Sequence, residues 1–375
     1  MKKGWEIKTL GDVCERASSN VSQNQLDNEV GVYPIFGASG KIKNISFYHQ
    51  DKPYFSIVKD GSGVGRVTKM DAYTSVIGTL QYILPKENID LNYLYYSLIS
   101  IDFKKYVAGA AIPHIYFKDY KNEPFLWIPL PEQQRIVPIL DEAFAAIAVA
   151  KTNAEQNLKN AKELFESYLQ GVFEKKGDGW ELKTLKDISL EFARGKSKHR
   201  PRGDSSLLGG KYPLIQTGDI SNSNHWINSY TQTYNEKGLA QSKLWTKGTI
   251  CIAIVGSNVA ETAILNFDAC FPDSVIGIVV NPQKANNEYV DYLLQSFKAY
   301  LKEKGKGTAR DNINLGTFEN QKFPFPSVNR QEIVVQKLDA LSVETKRLEA
   351  IYQQKLLDLE ELKKSVLQKA FNGEL

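Results

Sequence analysis

Cysteine is scarce in this chain of 375 residues: there are three, Cys14, Cys251 and Cys270, widely spaced and odd in number. Their number and spacing exclude a disulfide framework and a cysteine-based zinc knuckle, and they predict reduced thiols in the cytoplasm. No apolar run approaches the length of a membrane span, and the N-terminal residues lack the apolar core of a signal peptide. We therefore predict a cytoplasmic protein without a membrane partner.

Catalytic signatures are missing from the sequence as well. There is no Pro-Pro-aromatic motif of an adenine methyltransferase, no glycine-rich adenosylmethionine loop and no nucleophile elbow. The glycine-rich segment 59–66 lacks the G-x-G-x-x-G spacing, so a hairpin turn is favoured over a phosphate-binding loop. The four histidines show no metal-ligand spacing. These absences predict a binding protein with no catalytic residues, metal or cofactor of its own.

The charge balance is mildly basic, with 47 lysines and arginines against 43 acidic residues and a net charge of +4. Such a balance permits nucleic-acid binding without requiring it, because the local distribution of the charges decides. Hydrophobic residues make up 42% of the chain and charged residues 24%, as in an ordinary water-soluble globular protein.

The chain does contain a long internal repeat. The heptapeptide Gly4–Leu10 returns as Gly179–Leu185, and the offset between further matches drifts from 175 to 199 and settles at 198. One of these matches is identical letter for letter, Ser75–Gly78 against Ser274–Gly277. A repeat of this length indicates a duplicated domain. Two copies can form a surface of two-fold character, which suits a pseudo-symmetric partner such as duplex DNA.

Both copies are predicted to be α+β globules. Short apolar runs between turn residues are typical of strands, and each copy also holds one amphipathic helical segment. The predicted strands are Pro53–Val58, Tyr73–Leu84, Thr249–Val255 and Val275–Val280, and the predicted helices lie near Tyr93–Val107 and Tyr289–Lys302.

A long helix is predicted after each globule. Between Pro326 and Gly373 the chain has no proline or glycine for 46 residues. Heptad positions, which indicate a coiled coil, recur in both copies. In the second copy they are Leu338, Leu341, Thr345, Leu348, Tyr352, Leu359, Leu362 and Val366; in the first they are Leu140, Phe144, Ile147, Ala154, Leu158, Ala161, Phe165, Tyr168 and Val172. Pro138 is expected to kink or delay the first helix, and Asn372-Gly373 to end the second.

These patterns predict four segments: a first globular domain at 1–130, a first spacer helix at 131–175, a second globular domain at 176–326 and a second spacer helix at 327–375. A helix of about 44 residues is about 65 Å long. The second helix can bury its heptad face only by returning antiparallel along the first. The expected product is a rigid spacer with one globule at each end.

Candidate DNA contacts are basic residues in glycine-rich or loop segments. The run at 194–202 has two interpretations, a solvated loop or a loop that orders on phosphates, and the repeat architecture favours the second. For the other basic stretches both interpretations stay open. The candidates are Lys41, Lys43, Lys59, Arg66, Arg194, Lys196, Lys198, Arg200, Arg202, Lys304, Lys306 and Arg310.

The pattern resembles a known family, the specificity subunit of type I restriction-modification enzymes, over the whole chain. The resemblance rests on Gly-Trp-Glu-x-Lys-Thr-Leu at 4–10 and 179–185, on Tyr212–Ile220, on the helix entry Pro129–Leu140, and on Leu169-Gln170 and Leu367–Phe371 at the helix ends. Two departures stand out: Phe36–Gly40 replaces the glycine-aspartate-isoleucine of the second copy, and the second helix entry lacks the Pro-x-x-Glu-Gln form.

The resemblance implies a non-catalytic subunit of an adenine-specific DNA methyltransferase and restriction complex. Each globule would read one half of a bipartite site in double-stranded DNA, and the helices would set the gap. The partners implied are two methyltransferase subunits and restriction or translocase subunits, which would carry adenosylmethionine, ATP and magnesium. Two alternatives are an undetected enzyme fold in the globules and a coiled-coil adaptor that binds only proteins.

Overall fold

The computed structural model describes residues 4–109, 111–175, 177, 179–199, 201, 203–305 and 313–375. The chain divides into two compact units. The first unit comprises Met1–Gln156 and Tyr352–Leu375, and the second comprises Asn157–Ile351. Each unit therefore contains one globule together with a segment of each long helix.

The first unit is a mixed α+β structure. Its strands are β1 (Glu6–Thr9), β2 (Cys14–Ser18), β3 (Tyr33–Gly37), β4 (Gly40–Ile45), β5 (Tyr54–Val58), β6 (Val67–Met70), β7 (Ser75–Val76), β8 (Leu80–Pro85) and β9 (Pro124–Trp127). Its short helices are α1 (Leu10–Val13), α2 (Leu91–Ser100) and α3 (Phe117–Tyr120), with 3₁₀ turns at Gln23–Leu26 and Phe103–Tyr106. The strands form sheets in the orders β1-β9, β2-β8-β5-β6 and β4-β3-β7.

The first long helix, α4 (Leu130–Glu174), leads to the second globule. The strands of that globule are β10 (Glu181–Lys183), β11 (Ser189–Arg194), β12 (Leu208–Leu214), β13 (Trp226–Ile227), β14 (Gln232–Tyr234), β15 (Leu244–Trp245), β16 (Ile250–Ala253), β17 (Thr262–Leu265), β18 (Ala269–Cys270), β19 (Val275–Val280) and β20 (Phe323–Phe325). Its helices are α5 (Leu185–Ile188), α6 (Thr217–Ser221), α7 (Glu236–Ala240), α8 (Asn287–Ser296), α9 (Lys298–Gly305) and α10 (Leu315–Glu319), with 3₁₀ turns at Ser205–Leu207 and Gly256–Asn258. The sheets are β10-β20, β11-β19-β16-β17-β13 and β14-β12-β18-β15, and the second long helix, α11 (Val328–Phe371), follows.

Local sequence accounts for where the repeated elements start. Thr9 and Asp12 form a capping box at the start of α1, and Thr184 and Asp187 form the same box at α5. The predicted helix near Tyr93–Val107 ends at Ser100, because Asp102 caps a separate 3₁₀ turn through the amide of Lys104. The predicted helix near Tyr289–Lys302 is likewise divided, into α8 and α9 at Phe297.

The predicted strand Tyr73–Leu84 is two strands. The amide of Leu80 donates to the carbonyl of Ile77 at 3.0 Å, so a turn separates β7 from β8. In the first unit β5 pairs with β8, with Phe55 opposite Ile83. In the second unit β16 pairs with β19, with Ile250 opposite Ile278. Phe55 and Ile250 therefore occupy equivalent positions in the two units, as do Ile83 and Ile278, and the residue numbers in each of these pairs differ by 195.

The matching letters Ser75–Gly78 and Ser274–Gly277 are consequently not structural equivalents, and that part of the predicted repeat was wrong. Ser75 and Val76 form β7, which pairs in parallel with β3. Its counterpart is β18, which pairs in parallel with β12, whereas Val275 begins β19. The buried faces of neighbouring strands set the register, and chance identities of single letters do not.

The expected delay of the helix start at Pro138 is not seen, because α4 runs from Leu130 to Glu174 with this proline inside it. Pro138 is exposed, and so is Gln134, whose carbonyl would otherwise accept the missing amide proton. Water can therefore satisfy that carbonyl, which lowers the cost of a proline inside a helix.

In the first unit the two long helices run antiparallel. Lys151 lies 2.7 Å from Glu360, and the Lys363 ammonium lies 5.3 Å from the ring centre of Phe144. Residue numbers thus rise along one helix as they fall along the other. Seam positions of both helices are buried, among them Leu140, Ala154 and Leu359 in the first unit and Ala161, Leu338 and Thr345 in the second.

Two predicted seam positions are exposed. The side chains of Tyr168 and Leu362 are 41% and 49% exposed. Leu169 and Leu367, which lie close to them in sequence, are buried in the cores of the globules instead. Near its C-terminal end each helix packs against a globule, where the straight-helix period of 3.6 replaces the period of 3.5 of a coiled coil.

A buried glutamine joins each globule to its long helix. Gln133 accepts the amide of Asp90 at 2.8 Å and donates to the carbonyl of Ile128 at 2.8 Å. In the second unit Gln331 accepts the amide of Asn286 at 2.9 Å and donates to the carbonyl of Pro326 at 2.9 Å. The second helix entry therefore keeps the glutamine of the first, although it lacks the Pro-x-x-Glu-Gln motif.

A tyrosine in each unit makes a second hydrogen bond between the globule and its long helix. Tyr96 donates its hydroxyl to Asp141 at 2.6 Å in the first unit, and Tyr292 donates to Asp339 at 2.6 Å in the second. Each bond links the main helix of a globule, α2 or α8, to a long helix of the same unit. The duplicated contacts confirm an α+β fold built from two similar domains and two long helices.

Candidate nucleic-acid interface

The glycine-rich segment of the first unit is a hairpin turn between antiparallel strands β5 and β6, as predicted. The amide of Gly65 donates to the carbonyl of Val58 at 2.9 Å, and Gly61 and Gly65 have positive φ angles of 95° and 85°. Lys59 lies 3.7 Å from Asp60. The exposed Arg66 folds back over the turn, since its Nη2 lies where a Cβ atom at Gly63 would be placed.

Lys41 and Lys43 lie on β4 and differ in their surroundings. The Nζ of Lys43 donates to the carbonyl of Leu26 at 2.7 Å and lies 3.4 Å from that of Asp27. Lys43 therefore ties β4 to the 3₁₀ turn at Gln23–Leu26. Lys41 is exposed and available to an external partner.

In the second unit, the basic run starts at the end of β11. The guanidinium of Arg194 donates from Nε to the carbonyl of Asp273 at 2.8 Å. Two hydrogen bonds hold the main chain of the following loop. The amide of Lys198 donates to the side chain of Gln241 at 2.6 Å, and the carbonyl of Lys196 accepts the hydroxyl of Ser242 at 2.9 Å. The side chains of Lys196 and Lys198 are exposed. The loop is thus ordered along its backbone, with two ammonium groups facing solvent.

The second basic stretch of this unit is only partly described. Lys304 is exposed near the end of α9, with its Nζ 5.5 Å from the ring centre of Tyr300. Lys302, on the same helix, is paired with Glu261 at 3.2 Å. Four candidates, Arg200, Arg202, Lys306 and Arg310, lie outside the described residues.

Sequence reasoning missed a polar cavity in the first unit. It has a volume of about 540 Å³ and lies between the loop after β2 and the segment that follows β4. Amide side chains line it, with two aromatic rings and a histidine. The one signal in the sequence is the amide-rich stretch at 20–25, which has the composition of an ordinary loop.

A buried histidine–aspartate pair in the second unit was also missed. His225 Nδ1 lies 2.7 Å from Asp291 Oδ2, and Asp291 is fully buried. The imidazole stacks on Tyr292, with ring centres 4.5 Å apart. Burial alone would lower the pKa of His225, but the hydrogen bond and charge of Asp291 outweigh it, so the pKa lies above its ordinary value. No spacing in the sequence links positions 66 residues apart.

The cysteines are unsuited to nucleophilic chemistry. All three are buried, and burial raises the pKa of Cys14 to about 12 and that of Cys270 to about 11. Within the described ranges, no group of three or more histidine, cysteine or acidic side chains is arranged to hold a metal ion. Within the same ranges, no helix is both long and apolar enough to cross a membrane.

Comparisons with known proteins identify the family. The family described as "Type I restriction modification DNA specificity domain" matches residues 2–160 and 177–357. The MjaVIII specificity subunit of a type I restriction enzyme from Methanocaldococcus jannaschii is 24% identical, over 99% of this chain and 93% of that protein. The EcoDI specificity subunit from Escherichia coli is 22% identical, over 99% of this chain and 88% of that protein.

Solved structures show the same fold. A chain from a structure described as "Structural basis underlying complex assembly and conformational transition of the type I R-M system" has a TM-score of 0.77, 17% identity, and coverage of 100% of this chain and 99% of that chain. The HsdS subunit from Thermoanaerobacter tengcongensis has a TM-score of 0.65 and 17% identity, with coverage of 100% and 98%. Because the family match spans both copies, this chain belongs to the type I restriction-modification DNA specificity family and is a DNA sequence-recognition subunit.

Proposed function

We propose that the two globules each read one half of a bipartite DNA site, and that the paired long helices set the distance between the halves. The observation that carries this proposal is the repeated set of hydrogen bonds between each globule and its long helix. Gln133 with Tyr96 and Gln331 with Tyr292 attach the two globules to their helices by matching hydrogen bonds. Two similar readers attached in the same way suit a DNA site with two separate halves.

Exchange of one globule tests this division. Residues 1–130, the first proposed target-recognition domain, are replaced by the equivalent domain of a related subunit, and the methylated motif is determined by single-molecule sequencing. We expect one half of the motif to change while the other half and the gap stay the same. The matched exchange of residues 176–326 should change the other half. A change in both halves after either exchange would contradict independent reading.

The exposed cations are proposed to bind the DNA backbone. Lys41, Lys196, Lys198 and Lys304 present exposed ammonium groups that could each neutralise a phosphate. Lys59, Arg66, Arg200, Arg202, Lys306 and Arg310 remain candidates, whereas carbonyl groups engage Lys43 and Arg194. Phosphate contacts strengthen binding to all sequences alike, because they carry no base information.

Salt dependence separates true phosphate binding from solvated lysines. Replacement of Lys196 and Lys198 by alanine should lower the slope of log affinity against log salt by about 0.9 for each phosphate that the variant no longer neutralises. Lys346, an exposed lysine on α11, provides a control variant. An unchanged slope in the double variant would mean that the loop is only hydrated surface.

We also propose the partners and the place of action. The subunit would bind two adenine-specific methyltransferase subunits along its long helices and associate with restriction subunits in the cytoplasm. Exposed apolar side chains on these helices support protein docking, since Val149 and Val343 are 61% and 69% exposed. Native mass spectrometry of the co-expressed proteins would give the stoichiometry. A complex with one methyltransferase subunit would contradict this proposal.

A further inference from the structure

The cavity of the first unit has the chemistry of a nucleobase site. Its volume of about 540 Å³ is within the usual range of small-molecule sites. The walls combine apolar and aromatic side chains with amides. The residues that matter here are Asn20, Gln25, Glu29, Phe47, His49 and Gln50.

Hydrogen-bonding groups in this cavity are available to a ligand. Within the described structure, the side-chain amides of Asn20 and Gln50 have no protein partner. Gln25 uses its carbonyl oxygen to accept the amide of Ser22 at 2.8 Å, which leaves its amino group to donate. His49 is held at Nδ1 by the hydroxyl of Tyr82 at 2.9 Å. The cavity thus offers donors and acceptors together.

Charge argues against a phosphate in this cavity. The lining includes no lysine or arginine, and its one charged side chain is the carboxylate of Glu29. Burial lowers the pKa of His49, so that its imidazole is neutral near pH 7. A neutral molecule with its own donors and acceptors is therefore a better occupant than an anion.

The walls of the cavity are cross-linked to the sheet beside it. Lys43 on β4 donates to the carbonyl of Leu26, which lines the cavity. Glu29 accepts the hydroxyl of Ser46 at 2.8 Å. These two bonds hold the loop at 22–29 against β4 and the segment that follows it. A site that is ordered before its ligand arrives loses less entropy on binding.

We infer that this cavity binds a single nucleobase, and that adenine is the base it fits best. Adenine presents one donor and one acceptor side by side on the edge formed by N6 and N7, which the amide of an asparagine or glutamine matches. Asn20 and Gln50 supply such amides, and Phe47 supplies an aromatic surface for the base. The inference deepens the proposed reading of DNA by this unit and rests on it.

Two sources could supply the base: free adenosine, or a base turned out of the stack in DNA. In the first arm, the full chain is titrated with adenosine and with cytidine by calorimetry. In the second, the complex with its methyltransferase subunits binds DNA that carries 2-aminopurine beside each adenine of the site in turn. Fluorescence of this analogue rises when the neighbouring adenine leaves the stack, and the adenine itself keeps its N6 and N7 edge.

Amino-acid substitutions test whether the calorimetric or fluorescence signal arises from binding in the cavity. Asn20→Ala and Gln50→Ala should each weaken adenosine binding, or the fluorescent response at one position, by about tenfold or more. The controls are Asn24→Ala and Asn44→Ala, because both amides are exposed on nearby segments but do not line the cavity. All four positions are at least partly exposed, so folding should be preserved, and circular dichroism checks this.

The outcomes separate this inference from the proposed function. A response at one DNA position that both cavity variants reduce supports an extrahelical base, and adenosine binding without it supports a free base. If the wild-type chain shows neither signal, if the cavity variants leave the signal unchanged, or if the control variants reduce it equally, the inference is overturned. Sequence-specific methylation by the wild-type complex would still stand in that case. Its absence would instead overturn the proposed function.

Discussion

Gln331 provides the sharpest test of how a globule is held on its long helix. The side chain is fully buried, accepts the amide of Asn286 at 2.9 Å and donates to the carbonyl of Pro326 at 2.9 Å. Replacement by methionine keeps the length of the side chain but removes both bonds. A buried amide and a buried carbonyl are then left without a partner, at about 1–3 kcal/mol each. We expect the free energy of unfolding to fall by roughly 2–6 kcal/mol.

The measurement is chemical denaturation, combined with amide hydrogen exchange of α8, whose N-cap is Asn286. Gln336→Met is the matched control, because Gln336 is exposed on the same helix. It should change stability by less than about 0.5 kcal/mol. In the first unit Gln133→Met and the exposed Gln134→Met form an equivalent pair. If each buried variant were as stable as its exposed control, the attachment of the globule to its long helix would not depend on these hydrogen bonds.

A buried ion pair, the helical seam and a helical glycine give three more tests. Asp291 raises the pKa of His225, so the pair stabilises the folded state fully below about pH 6.5. This stabilisation is lost as the pH rises through the pKa of His225 in the folded state. In Asp291→Asn, the unfolding free energy measured as a function of pH should no longer show that decrease. Insertion of seven residues after Ala154 together with seven after Tyr352 should keep the heptad seam and lengthen the methylated gap by about three base pairs, as read by methylome sequencing, whereas an unchanged gap would show that the helices do not set it. Gly171→Ala, in α4 with open space around the new Cβ, should raise the free energy of unfolding by about 0.5–1 kcal/mol in a denaturant titration, and a decrease would contradict a helical conformation there.

Elements that depend on local sequence were predictable. The heptad spacing indicated two long helices, and the structure has them at Leu130–Glu174 and Val328–Phe371. The buried strands β5 and β19 also lie where short apolar runs indicated them. Side-chain periodicity and turn residues are properties of neighbouring positions, so they can be interpreted without knowledge of the fold.

The sequence alone determined the duplication, the α+β class and the family resemblance, because these depend on order and spacing along the chain. Tertiary structure decided the rest. It set an offset of 195 between the central strands β5 and β16 and between β8 and β19, engaged Lys43 with carbonyl groups, and assembled the amide-lined cavity from residues 18–82. It also brought His225 to Asp291. These features depend on pairs of residues that are distant in sequence, and such pairs form only when strand pairing and packing bring them together.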